Sequence, residues 1–147
     1  MIDLFLVREA TSKDEEAVKN IVKRSGLEVD LLPDIESFLI AETESKELFG
    51  VIGLEKHGRS GLLRALVLNS AESTSERLLR FFDQVIAYAK KCKLEELYLT
   101  SNEESFFFQV FGFSTISREE LSVDIKQNRL FRENSSNRVI MRRQLNF

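Results

Sequence analysis

The run Leu62-Leu63-Arg64-Ala65-Leu66-Val67-Leu68 constrains the fold more than any other stretch of the chain. Nearly apolar throughout, it reads as a strand buried on both faces and so as the central strand of a sheet. Upstream, Leu4 to Arg8 reads as a strand. Ser12-Lys13-Asp14-Glu15 reads as a capping box ahead of Ala17, Val18, Ile21 and Val22 at helical spacing, with Gly26 beyond them. Pro33-Asp34-Ile35-Glu36 opens a short helix or turn. Phe38 to Glu42 and Leu48 to Glu55 are strands joined as a hairpin through 43–47, and Gly58-Arg59-Ser60-Gly61 turns the chain into the central strand. Downstream, the polar run 69–75 precedes a long helix to about Cys92, with Leu78, Phe82, Val85, Ile86 and Ala89 on one face and Lys90, Lys91 and Lys93 at its C-terminal dipole. Glu95 to Thr100 alternates as a strand. Glu103 and Glu104 start a short aromatic helix that Gly112 stops, Asp124 to Arg132 is a further helical piece, and Arg138 to Leu145 is the last strand. The expectation is a single domain over residues 1–147, with strands and helices alternating around one twisted mixed sheet.

Composition narrows the function classes. The 147 residues are 43% hydrophobic and 31% charged, with one proline and six glycines, which leaves no stretch that reads as a linker. The lone Cys92 has no internal disulfide partner, and Leu4-Phe5-Leu6-Val7 ends in Arg8-Glu9, far short of a signal-peptide core or membrane span; the cytoplasm is the expected location and no membrane partner is expected. A net charge of −3 argues against nucleic acid as a partner, since phosphate binding needs a basic face. The basic tail from Arg138 to Arg143 interleaves Val139, Ile140 and Met141 and reads as a strand with solvated arginines. With one histidine and one cysteine, no metal-ligand spacing exists.

The order of elements, together with Leu66-Val67-Leu68, the helix after it, Glu96-Leu97-Tyr98-Leu99 and Phe107-Phe108-Gln109-Val110-Phe111-Gly112-Phe113, resembles the GNAT superfamily of acyl-CoA N-acyltransferases over nearly the whole chain. Within it, Gly53-Leu54-Glu55-Lys56-His57-Gly58, Leu63 to Asn69, Arg129-Leu130-Phe131-Arg132 and Arg138 to Arg143 look most like small stand-alone proteins related to the acetyltransferase domain of N-acetylglutamate synthase, an arsenic-resistance branch included. The resemblance implies an α/β (α+β) fold, a mixed, mostly antiparallel sheet of roughly six or seven strands flanked by about four helices. It also implies acetyl-CoA as cosubstrate, a small-molecule primary amine as acceptor, an amino-acid-like one included, and a homodimer as one assembly open to the fold.

Site roles follow from the same resemblance. Leu66, Val67 and Leu68 offer backbone hydrogen bonds to the pantetheine arm, and the Val67 N–H polarises the thioester carbonyl. The family's next element is a glycine-rich loop that wraps the pyrophosphate at a helix N-terminus. Here Ser70 to Arg77 holds no glycine. Ser73, Thr74 and Ser75 remain as donors, Glu76 stands with them at the helix start, and Arg77 can pair with a phosphate, whereas Glu72 and Glu76 repel one. The same residues also read as a bare N-cap, with Ser73 and Glu76 forming a capping box and no ligand. Many members carry a tyrosine as the acid for the leaving thiolate; that position, beside the cofactor, is Phe108. Glu55 is the first candidate base and His57 the second. Arg64, Arg132 and Arg138 are candidates for an acceptor carboxylate, with salt bridges to the many glutamates as the alternative. The cluster Phe106, Phe107, Phe108, Phe111 and Phe113 reads as core. A catalytically impaired GNAT-fold binding or regulatory protein is the competing function.

Overall fold

A computed structural model of the chain describes residues 5–26, 32–69, 75–101, 106–128, 131 and 138–145. Among them, strands β1 (Phe5–Glu9), β2 (Phe38–Thr43), β3 (Leu48–His57), β4 (Ser60–Leu68), β5 (Glu96–Ser101), β6 (Ser114–Ile116) and β7 (Val139–Gln144) form one seven-stranded sheet in the order β1-β2-β3-β4-β5-β7-β6. Four α-helices among the described residues accompany it, α1 (Glu15–Arg24), α2 (Ser75–Lys91), α3 (Phe106–Val110) and α4 (Val123–Lys126). The sheet is mixed. β4 and β5 run parallel, whereas β1 with β2, β2 with β3, β5 with β7 and β6 with β7 run antiparallel. No helix among the described residues is long and apolar enough to cross a membrane. The chain divides into two compact units, Met1–Leu54 with Arg64–Tyr88 and Glu55–Leu63 with Ala89–Phe147.

In the first unit, α1 buries Val18, Ile21 and Val22 against Phe38, Ile40, Val51 and Val67. A 3-10 turn, Ser12–Asp14, precedes it, and the capping box belongs to that turn, one residue earlier than the spacing predicts: Thr11, not Ser12, is its N-cap, and Asp14 completes the box by accepting from the Thr11 N–H at 2.7 Å. Arg8 explains the shift, because its guanidinium grips both oxygens of Asp14, at 2.8 and 2.9 Å, and so fixes which carboxylate faces the cap. The Arg8 Nε also donates to Glu42 on β2 at 2.7 Å. Helix α2 buries Phe81 and Phe82 as well as Val85 and Ile86, with Phe81 edge-on to Phe49 at 6.0 Å. Tyr88 is half-buried, and its hydroxyl donates to Glu9 at 2.5 Å.

β4 carries a backbone irregularity that the apolar run gives no sign of. Ala65 sits at φ 55°, in the left-handed region where a side chain costs about 1–2 kcal/mol. The strand before it is buried, whereas Arg64, Ala65 and Leu66 are all half-buried, so the alternation of faces breaks at this residue. Ala65→Gly should therefore leave stability unchanged or raise it by up to about 1 kcal/mol, while the β-branched Ala65→Val should lower it by about 1–3 kcal/mol. Urea unfolding of the two variants checks this, and the opposite ranking would remove the strain from the account.

In the second unit, Ser60 to Leu62 of β4 pair with Glu96 to Tyr98 of β5. Leu62, Tyr98, Ile116, Leu121, Ile125, Phe131 and Ile140 form its core. Three features differ from expectation. β6 has two exposed polar residues in three, so it shows no apolar period, and it is a strand because it pairs with β7, Ser114 opposite Arg142. The helical piece expected over Asp124 to Arg132 is the shorter α4, started by Ser122, whose Oγ accepts from the Ile125 N–H. Of the phenylalanine cluster only Phe113 is buried; Phe107, Phe108 and Phe111 are half-buried and Phe106 is 78% exposed. Consecutive aromatics cannot share one face of a helix with about 3.6 residues per turn. Glu103 and Glu104 lie outside the described residues.

Candidate functional site

In the first unit, β4 ends with Val67 buried and Leu66 and Leu68 half-buried. The chain leaving the strand is tied down, since the Asn69 N–H donates to the Phe49 carbonyl at 2.8 Å and its amide reaches the Leu48 carbonyl at 3.4 Å. Ser73 and Thr74 lie outside the described residues. Ser75 and Glu76 are exposed in the first turn of α2, and Arg77 lies with its guanidinium 5.7 Å from the centre of the Phe49 ring. That stacking gives Arg77 a structural partner, which the expected phosphate role did not include. Arg64 is half-buried on β4, and its carbonyl would lie 3.2 Å from a Cβ at Gly53. The same Cβ would lie 3.0 Å from Pro33 Cγ, so the bare Gly53 lets the segment bearing Pro33 close over β3. Beside Pro33, a cavity of about 190 Å³ has Val18 and Phe38 in its wall and Glu15, Lys19 and Asp34 at its edge. Glu15 and Lys19 pair with each other at 3.1 Å.

In the second unit, Glu55 and His57, both half-buried, end β3, and one side chain joins them. The Asn128 amide nitrogen lies 2.9 Å from His57 Nε2 and 3.4 Å from Glu55 Oε1. The turn after His57 is held close to α4: Gly58 adopts φ +61°, and a Cβ there would lie within 3 Å of the Asp124 carboxylate, so only glycine fits without a shift. Beneath it a polar network is fully paired. Ser60 Oγ donates to Glu96 at 2.9 Å and lies 2.8 Å from Ser122 Oγ, and the Ser122 N–H donates to the Tyr98 hydroxyl at 3.1 Å. Burial, then the hydrogen bond to Glu96, pushes the Tyr98 phenol above its ordinary value, so Tyr98 stays protonated and is no base at neutral pH.

Phe108 packs edge-on to Phe107 at 5.3 Å and to Phe113 at 6.1 Å. Arg132 lies outside the described residues, and Arg138 is exposed just before β7. In this unit a cavity of about 330 Å³ is lined by Arg118 and Lys126 together with Glu119, Leu121 and Phe131. Neither basic residue has a sequence signal, because Arg118 opens a short 3-10 turn and Lys126 ends the one-turn helix α4, with no motif around either. Among the described residues, no three His, Cys, Asp or Glu side chains converge as a metal site.

No protein-family model matches the sequence, and no curated protein matches it. Solved structures do. The chain is similar to the N-acetylglutamate synthase of Neisseria gonorrhoeae complexed with coenzyme A and N-acetyl-glutamate, with 20% identity and a TM-score of 0.81 over 100% of this chain and 36% of that one. It therefore spans about a third of that synthase. An acetyltransferase of the GNAT family from Staphylococcus aureus Mu50 superposes with 17% identity and a TM-score of 0.74, over 97% of this chain and 100% of that one. An acetyltransferase from Streptococcus agalactiae 2603 does so with 19% identity and a TM-score of 0.73, over 96% and 98%. With its mixed seven-stranded sheet, in which β4 and β5 run parallel, the chain has the fold of the GNAT acetyltransferases.

Proposed function

We propose that this protein is an N-acetyltransferase that moves an acetyl group from acetyl-CoA to the primary amine of a small metabolite. The observation that carries the reading is β4 itself. In a fold shared with acetyltransferases, Ala65 breaks the strand's alternation and is followed by the half-buried Leu66 and Leu68, whose backbone can reach a ligand.

Acetyl-CoA would supply an acyl thioester. The N–H and C=O groups of Leu66 to Leu68 would pair with the amides of its pantetheine arm, and the Val67 N–H would stabilise negative charge on the thioester oxygen. By the resemblance, Glu55 is the first candidate for the base that takes the proton the amine nitrogen loses as its bond to the acyl carbon forms, directly or through a water. Phe108 has no proton to give, so the departing thiolate would be protonated by solvent. The pyrophosphate has a poorer seat than the fold provides elsewhere: residues 69–78 contain no glycine, and Glu76 puts a negative charge in the first turn of α2. An acceptor bearing a carboxylate would suit Arg118 and Lys126.

The stacking of Arg77 on Phe49 favours the second reading, a GNAT-fold binding or regulatory protein without turnover, because it engages a cation in the first turn of α2 that a phosphate would otherwise meet. Thiol release from acetyl-CoA across a panel of amines separates the two. Turnover with any amine above background hydrolysis supports the transferase; none across the panel supports the non-catalytic protein.

A further inference from the structure

We infer that Asn128 is a positioning residue: it holds His57 in the Nδ1–H tautomer and thereby leaves Glu55 as the proton acceptor of the pair. The catalytic half of this inference rests on the acetyltransferase reading above; the tautomer does not. Asn128 is only 6% exposed. Its main chain is pinned on both sides, the N–H donating to the Ile125 carbonyl at 3.0 Å and the carbonyl accepting from the Phe131 N–H at 3.0 Å. Phe131 is itself buried in the core of the unit, so the amide projects from a fixed origin.

The orientation of that amide follows from Glu55. An ionised carboxylate only accepts hydrogen bonds, so the amide end near Glu55 Oε1 must be the NH₂ group; the oxygen there would set two acceptors against each other. The NH₂ group has two hydrogens, one for Glu55 at 3.4 Å and one for His57 Nε2 at 2.9 Å. His57 Nε2 is then the acceptor, and the neutral ring carries its hydrogen on Nδ1. A neutral imidazole in water prefers the opposite form, so the amide imposes the tautomer. A proton arriving at Nε2 would meet the Asn128 N–H head on, which leaves the carboxylate as the group of the pair that can take one.

His57 is the only histidine of the chain, so its two ring nitrogens give the only imidazole signals in a ¹⁵N spectrum. Recorded at a pH where the ring is neutral, wild type should show a protonated Nδ1 and a bare Nε2. Asn128→Ala should return the ring to mostly Nε2–H. Asn128→Asp keeps the side-chain shape, and with Glu55 also changed to Gln to avoid two facing carboxylates, its carboxylate should draw the hydrogen to Nε2 and invert the tautomer. A wild-type ring already protonated on Nε2, or a spectrum unchanged in both variants, would overturn the assignment. In turnover, Asn128→Ala should lower kcat by a few-fold, up to about tenfold, with little change in KM. An inverted tautomer with unchanged kcat would remove the positioning role. A wild type without turnover would sink the functional reading and the catalytic half of this inference together, while the spectrum would still decide the tautomer.

Discussion

Replacing Glu55 with Gln is expected to lower kcat/KM about a hundred- to ten-thousand-fold, the range general-base catalysis supplies. The substitution keeps the shape and a hydrogen-bonding partner for Asn128 but removes the carboxylate that would accept the proton. His57→Gln should cost far less, within about tenfold, because its Nε2 is already spent on Asn128. Steady-state kinetics at saturating acetyl-CoA measure both. A larger loss in His57→Gln than in Glu55→Gln would mean that the histidine, not the carboxylate, carries the proton.

Arg8→Leu is expected to destabilise the protein by about 2–4 kcal/mol at neutral pH, the largest change predicted for any single residue's ion pairs here. The variant leaves two partly buried carboxylates, Asp14 and Glu42, without the guanidinium that both now share. Acid adds a second signature. The Arg8 guanidinium, followed by the Thr11 backbone N–H, holds the Asp14 carboxyl well below its ordinary value of 3.8. A depressed folded value means that folding favours the charged form. The stabilisation is complete above the unfolded value and is lost as pH falls through it toward the folded one. Wild-type stability should thus decline below about pH 5 through this group, and the decline should be shallower in Arg8→Leu. Urea unfolding at pH 7 and pH 3 tests it; the same acid slope in both proteins would remove Asp14 from the account.

The parts of the fold that were legible in the sequence are those whose packing repeats along the chain. Leu62 to Leu68 announced β4, and Val18, Ile21 and Val22 at helical spacing announced α1. What stayed hidden depends on partners far away in the chain or on backbone torsion. Alanine has no preference for a positive φ, so nothing at Ala65 signals the break in β4. β6 takes its structure from β7 rather than from its own residues. The capping box slipped by one residue because Arg8 selects Asp14, a choice made by tertiary contact and not by the local pattern. Glu55 and His57 were visible as chemistry-bearing residues at a strand end. Asn128 was not, since it lies 71 residues from His57 and a lone asparagine carries no spacing signal. The phenylalanine cluster misled in the other direction, because apolar composition alone does not say how many faces a short helix can bury.

The central claim is that β4 receives acetyl-CoA even though the segment after it lacks glycine. Thermal unfolding with and without excess acetyl-CoA tests it most directly. Cofactor at a hundred times its dissociation constant should stabilise the fold by about 2.7 kcal/mol, read as a clear rise in Tm. An unchanged Tm at millimolar acetyl-CoA would contradict the claim.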